Sequence, residues 1–193
     1  LLSFTSVLSG LNIDDHFVYS HLLKSDYPIP MMAKFFNQQG YATYRLTSLG
    51  SNDDRIKIPY EQLSNFYGFK YWLLAEDLNY EGKFYGSVKA VPDQYALNKL
   101  HENYLYKEAS PTFTFFITTA SHWPWSEEQP PLLKNWSELN GIKGDGANKQ
   151  VPGIGESKEN YWLAMEYQIK MMFDFLNRYK HENTVLIFLG DHQ

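Results

Sequence analysis

TFTFFITTASHWPW, residues 112–125, divides into two parts. The first, Thr112 to Ala120, carries no charge and is built almost entirely of β-branched and aromatic residues. Such a run predicts a strand buried on both faces, because a half-solvated strand would alternate apolar with polar positions. The second part holds His122 between Ser121 and the stiff trio Trp123, Pro124 and Trp125. A rigid aromatic loop of this kind can present an imidazole to an anionic oxygen while the indoles exclude water. It can equally be a packing loop with a histidine at its rim, and the local residues leave both readings open.

Outward from this strand, helix and strand signals alternate. IPMMAKFFNQQG (29–40) predicts a short helix with Met32, Phe35 and Phe36 on one face and Gly40 at the C-terminal cap. YATYRLT (41–47) follows as a strand. PYEQLSNFYG (59–68) is a helix opened by proline and closed by glycine, and PDQYALNKLHENYL (92–105) is another. Residues 126–156 hold Pro130, Pro131, Pro152 and a cluster of glycines from Gly141 to Gly155. This stretch reads as a long loop, a feature that in compact domains usually serves function or moves. ESKENYWLAMEYQIKMMFDFLNRYK (156–180) is the longest helix. Its predicted core face is Tyr161, Met165, Ile169, Met172, Phe173 and Leu176. TVLIFL (184–189) predicts a final strand. Apolar strands separated by helices imply an α/β fold, a mostly parallel central sheet with helices on both faces. Ligands of such sheets gather beyond the carboxyl ends of the strands.

The final strand leads through Gly190 straight into Asp191 and His192. Glycine permits a turn there, and a carboxylate oxygen beside an imidazole nitrogen suits Zn²⁺ or Mn²⁺. The same pair can be an ordinary surface dipeptide, and two donors alone do not complete a metal shell. Asp93 precedes a helix and reads as an N-cap or first-turn carboxylate. Arg55 in SNDDRIK is either an anion binder or a solvated loop residue beside Asp53 and Asp54.

Composition excludes several classes. The 193 residues, 44% hydrophobic and 17% aromatic, suffice for one sizeable core. A net charge of -5 with no basic block argues against a nucleic-acid partner. Cysteine is absent, so disulfides and thiolate metal sites are excluded. No stretch approaches the ~20 apolar residues of a membrane span. The first residue is Leu, so the expectation is an excised piece of a longer protein.

Taken in order, TFFITTASHWPW and ENYWLAMEYQIKMMFDFLNRYKHENTVLIFLGDHQ resemble the sulfatase-like branch of the alkaline phosphatase superfamily. Within it they are most similar to lipoteichoic acid synthases and related phosphoglycerol or phosphoethanolamine transferases. In that family a strand ends in a Ser/Asn-His-x-Pro-aromatic loop, a long helix follows, and the next strand ends in Asp-His. MAKFFNQQGYATYRL is similar to the family's helix, Gly-Tyr and strand, and VPDQYAL to its Gly-x-x-Asp segment. The resemblance implies one partial catalytic domain over residues 1–193. The domain would lack the first strand, with the nucleophile region, and the part after the Asp-His motif.

The resemblance also implies roles. Asp191 and His192 match the family's divalent-metal ligands, the cofactor being Mn, Zn or Mg. His122, with Trp123 beside it, matches a histidine that contacts the substrate's phosphoryl or glycerol oxygens. Arg55 lies near the place of a substrate-binding arginine, although Asp53 and Asp54 replace the aromatic and Asn that precede it in the family. The family nucleophile, Thr or Ser, opens a helix closed by a Thr/Ser-Gly pair. Here that pair is Ser9-Gly10, which places the nucleophile immediately ahead of Leu1. Ser3, Thr5 and Ser6 are the alternatives within the chain. Phe4 stands where true sulfatases carry Arg. The implied function is a metal-dependent phosphotransferase or phosphodiesterase acting on phosphoglycerol or phosphoethanolamine headgroups. Partners would be a phospholipid headgroup or an envelope glycan or polymer. The parent would be a membrane-anchored protein with this domain extracytoplasmic, and the excised piece alone would be inactive. The alternatives are a sulfate-ester hydrolase and a non-catalytic headgroup- or glycan-binding relative.

Overall fold

The computed structural model describes residues 4–13, 17–18, 21, 23, 28–50, 59–86, 90–135, 150–151, 157–179 and 183–190. Helix α1 (Phe4–Ser9) is followed by α2 (Met32–Gln38), β1 (Ala42–Thr47), α3 (Tyr60–Tyr67) and β2 (Tyr71–Leu73). After a 3₁₀ turn at Ala75–Leu78 come β3 (Phe84–Tyr85), α4 (Asp93–Asn103), β4 (Thr112–Ile117), β5 (Gln150–Val151) and α5 (Lys158–Tyr179). The main sheet has the order β2-β1-β4 and every pairing is parallel. Ala42 lies opposite Thr112 and Thr47 opposite Ile117, so β1 and β4 end together. The short strands β3 and β5 make a separate parallel pair.

Each face of the sheet is covered, as the apolar strands require. Ala42, Tyr44 and Leu46 of β1 point to one side and pack with Leu97 and Leu100 of α4 and Met171 and Phe175 of α5. On the other side Phe113 and Phe115 of β4 meet Leu8 of α1, Ala33 of α2 and Leu63 and Tyr67 of α3. Leu46 is wholly buried, which contributes roughly 1.5–3 kcal/mol relative to exposure. The expected α/β arrangement with helices on both faces is therefore present.

Gly68 closes α3 in the left-handed region, φ 83°, its N–H donating to the Ser64 carbonyl. A β-carbon there would run into the Lys34 side chain of α2 and sit 3.2 Å from its backbone nitrogen. The left-handed conformation costs an L-residue about 1–2 kcal/mol. Gly68→Ala should therefore lower unfolding stability by about that amount, read as a reduced midpoint in a urea melt with unchanged slope. A midpoint equal to wild type would refute this account of the turn.

Four local expectations change. First, β4 is half-buried at every position rather than fully buried, because it is an edge strand among the described residues. Second, residues 183–190 form no strand and pair with no described strand, and Val185 and Ile187 are 88% and 73% exposed. A strand propensity yields a strand only where another backbone supplies the ladder. Third, α5 buries Ala164, Tyr167, Met171 and Phe175, whereas Ile169 and Phe173 of the predicted face are mostly exposed. The helix is apolar on two sides, so its periodicity could not choose between them. Fourth, α2 buries Ala33 instead of Met32 and Phe35, while Phe36 stacks on Phe113 at 4.5 Å. No helix among the described residues is long and apolar enough to cross a membrane.

Candidate active site at the carboxyl edge of the sheet

Parallel pairing brings the ends of β1 and β4 to one edge, and the amino end of α4 joins them. The Val91 N–H donates to the Ser48 carbonyl at 3.1 Å, so α4 starts directly beside the end of β1. The first helical residue, Asp93, is 1% exposed. Its carboxylate does not cap its own helix. It reaches across to β4 instead. Ser48 Oγ donates to Oδ1 at 2.7 Å, the Thr119 N–H lies 3.0 and 3.1 Å from the two oxygens, and the Ala120 N–H donates to Oδ2 at 3.0 Å. Thr119 Oγ1 adds a longer contact to Oδ1 at 3.3 Å, and Gln168 Nε2 of α5 one to Oδ2 at 3.4 Å. Burial pushes the Asp93 carboxyl above the usual range, and these hydrogen bonds pull it back in part. One residue on, the Gln94 N–H donates to the Tyr167 hydroxyl at 3.1 Å, which ties α5 to the same corner.

The His122 loop springs from this corner. Its backbone N–H donates to the Thr119 carbonyl at 2.9 Å, closing a turn over Thr119–His122. Trp125 Nε1 donates to the Ser121 carbonyl at 2.9 Å, and the Trp125 ring packs 5.0 Å from Tyr161 on the first turn of α5. The Trp123–Pro124 peptide is cis. Beyond it, Ser126 is buried and its Oγ accepts from the Gly86 N–H at 2.8 Å. The loop is thus anchored at both ends, while His122 itself is exposed and Trp123 is 55% exposed. His122, Asp93, Thr119, Tyr85, Ser126 and Gln129 line one small hollow that opens to solvent. Burial raises the Tyr85 hydroxyl's pKa there, with Glu128 adding to the effect, so Tyr85 stays a neutral donor at physiological pH.

His122 and Trp123 therefore stand together at the edge where the sequence places them. Arg55, Asp191 and His192 lie outside the described residues, as does Ser3. Thr5 and Ser6 are buried and engaged: Thr5 Oγ1 bonds the Tyr67 hydroxyl at 2.8 Å, and Ser6 Oγ both donates to the Ile13 carbonyl and accepts from its N–H. Both hydroxyls serve the α1 packing. Phe4 likewise sits edge-on to Tyr67 and Phe115. Among the described residues no group of three or more His, Cys, Asp or Glu could hold a metal ion, so the donor chemistry of Asp191 and His192 remains the only metal candidate named. The web around Asp93 is what local reading missed. Its one signal was an Asp at a helix start in a segment similar to the family's.

No curated protein matches the chain. Among solved structures, it is similar to a protein of the alkaline phosphatase superfamily from Vibrio parahaemolyticus. The identity is 18% and the TM-score 0.57, over 93% of this chain and 38% of that one. It is also similar to the lipoteichoic acid synthase LtaP from Listeria monocytogenes, with 17% identity and a TM-score of 0.56, over 91% and 38% of the respective chains. The chain thus spans well under half the length of these structures, and the likeness is one of fold. The protein family described as Sulfatase matches residues 2–193, almost the whole chain, and this chain belongs to that family.

Proposed function

We propose that this chain is part of a metal-dependent phosphotransferase or phosphodiesterase that acts on phosphoglycerol or phosphoethanolamine headgroups. The observation that carries the reading is His122, an accessible imidazole on a loop anchored at both ends, at the carboxyl edge of a parallel sheet. An exposed imidazole there can hydrogen-bond a phosphoryl oxygen or protonate a leaving alkoxide. Trp123 beside it supplies an aromatic wall that limits water and can lie along a glycerol or sugar backbone. Asp191 and His192 would hold the divalent ion, whose contribution when bound is to neutralise charge on the transferring group and lower the pKa of a coordinated hydroxyl. Arg55 would add a cation for the phosphoryl oxygens. The nucleophilic hydroxyl would come from a residue ahead of Leu1, with Ser3 the alternative within the chain, since the Thr5 and Ser6 hydroxyls are buried and hydrogen-bonded. The reading places the domain on the outer side of a membrane, where such headgroups and envelope polymers are found.

Phosphorus is favoured over sulfur by Phe4. The position after the family's Ser, which carries Arg in true sulfatases, here packs an aromatic ring against Tyr67 and Phe115 and offers no charge to a sulfate. The full-length protein carrying these residues should be assayed with bis(4-nitrophenyl) phosphate and 4-nitrophenyl sulfate in the presence of Mn²⁺. The phosphodiester should turn over at least about a hundredfold faster, and EDTA should abolish the rate reversibly. Faster sulfate-ester turnover would replace this reading with that of a sulfatase. No turnover of either would favour a binding protein, and a rate indifferent to EDTA would remove the metal.

A further inference from the structure

We propose that Asp93 is a positioning residue for His122: its buried carboxylate sets the turn from which the imidazole is presented. The proposal rests on the reading of His122 as the acting imidazole.

Three observations carry it. The carboxylate meets only donors. Both oxygens take N–H groups of the β4 exit, and hydroxyl and amide donors come from Ser48, Thr119 and Gln168. That set satisfies an acceptor-only group and no other side chain of this size. Next, the contacts converge on the turn that holds His122. Thr119 gives its N–H to Asp93 and its carbonyl to the His122 N–H, so one residue separates the carboxylate from the imidazole's own backbone. Last, the arrangement is an expensive way to fold. The carboxylate is buried, no cationic side chain pairs with it among the described residues, and it does not cap its own helix. A helix start needs none of this, and apolar packing would hold the corner at lower electrostatic cost. What the carboxylate adds is direction. It ties four elements (β1 through Ser48, β4 through Thr119 and Ala120, α4 through its own backbone, α5 through Gln168) to one point beneath the loop.

Asp93→Asn in the full-length protein keeps the shape but turns an N–H₂ donor towards an N–H donor. With bis(4-nitrophenyl) phosphate as probe, the variant should lose at least tenfold in kcat with KM within about threefold of wild type. In a His122→Ala background the same substitution should change kcat less than about twofold, because the turn then presents nothing. An equal loss in both backgrounds would mean a general structural role and would overturn the proposal. If Asp93→Asn does not fold, Ser48→Ala keeps the carboxylate and removes one donor. It should show about a threefold loss, again absent in the His122→Ala background, and an equal loss in both would overturn the proposal. If the wild-type protein turns over no phosphodiester, the functional reading fails and positioning is decided on the side chain itself. The His122 imidazole NMR resonances must then shift in Asp93→Asn, and unchanged resonances would overturn the claim.

Discussion

Asp191→Ala should reduce phosphodiester turnover by about a thousandfold or more, equivalent to about 4 kcal/mol of transition-state stabilisation. The apolar run Thr184–Leu189 ends in Gly190, and Asp191 and His192 follow it directly in the sequence. A carboxylate and an imidazole are the donor pair that a borderline divalent ion prefers. If Asp191 holds the ion as proposed, losing the carboxylate would remove both a bond and a negative charge, so affinity for the ion should fall as well as rate. Two measurements separate this from misfolding. The metal content of the purified variant should drop, and its far-ultraviolet circular dichroism should match wild type. High Mn²⁺ should restore part of the rate if the remaining donors still hold the ion weakly. A variant with wild-type turnover and metal content would exclude Asp191 from the metal shell.

His122→Ala should lower kcat by about 10²–10⁴-fold, the usual span for a group that moves a proton or donates to charge in the transition state. The expected loss falls on kcat more than on KM, because a neighbouring aromatic such as Trp123 can still hold the substrate in the ground state. His122→Gln keeps a donor and should recover part of the loss if the imidazole hydrogen-bonds a phosphoryl oxygen. No recovery points to proton transfer to the leaving group. Exposure of the ring makes this substitution structurally mild, so thermal stability should stay close to wild type. A kcat unchanged by His122→Ala would return the loop to a packing role and withdraw its assignment as the acting imidazole.

Asp191 and His122 both stand out in the sequence, yet only His122 lies among the described residues. His122 is placed by the fold at the expected edge, with its turn, its anchors and its neighbours visible. Asp191, His192 and Arg55 lie outside the described residues, and their roles rest on motif and chemistry alone. The same inequality runs through the fold. The strand over Thr112–Ile117 and the helix from Lys158 were legible because their signals are local: β-branched runs, helical spacing and capping residues. The inner face of α5 was not legible. Both of its sides are apolar, and only packing against α4 and the sheet selects Ala164, Tyr167, Met171 and Phe175. Residues 183–190 show the limit from the other direction, since β propensity without a partner backbone leaves an exposed segment that forms no strand.

Asp93 marks the boundary most clearly. As a letter before a helix it is a first-turn carboxylate, and that much is correct. Its partners lie 26 residues away at Thr119, 45 at Ser48 and 75 at Gln168, and no local pattern announces them. By itself the sequence determined the fold class, the main helices, the strands β1 and β4 and the candidacy of His122, all written in spacing and side-chain type, while its motifs carried the resemblance to the family. Only the tertiary structure decided which strand ends meet, which helix face is core, which hydroxyls are spent on packing and what the buried carboxylate holds. Those follow from register and burial between segments far apart in the chain. Free energies of that kind are set by geometry in space, not by neighbours along the backbone.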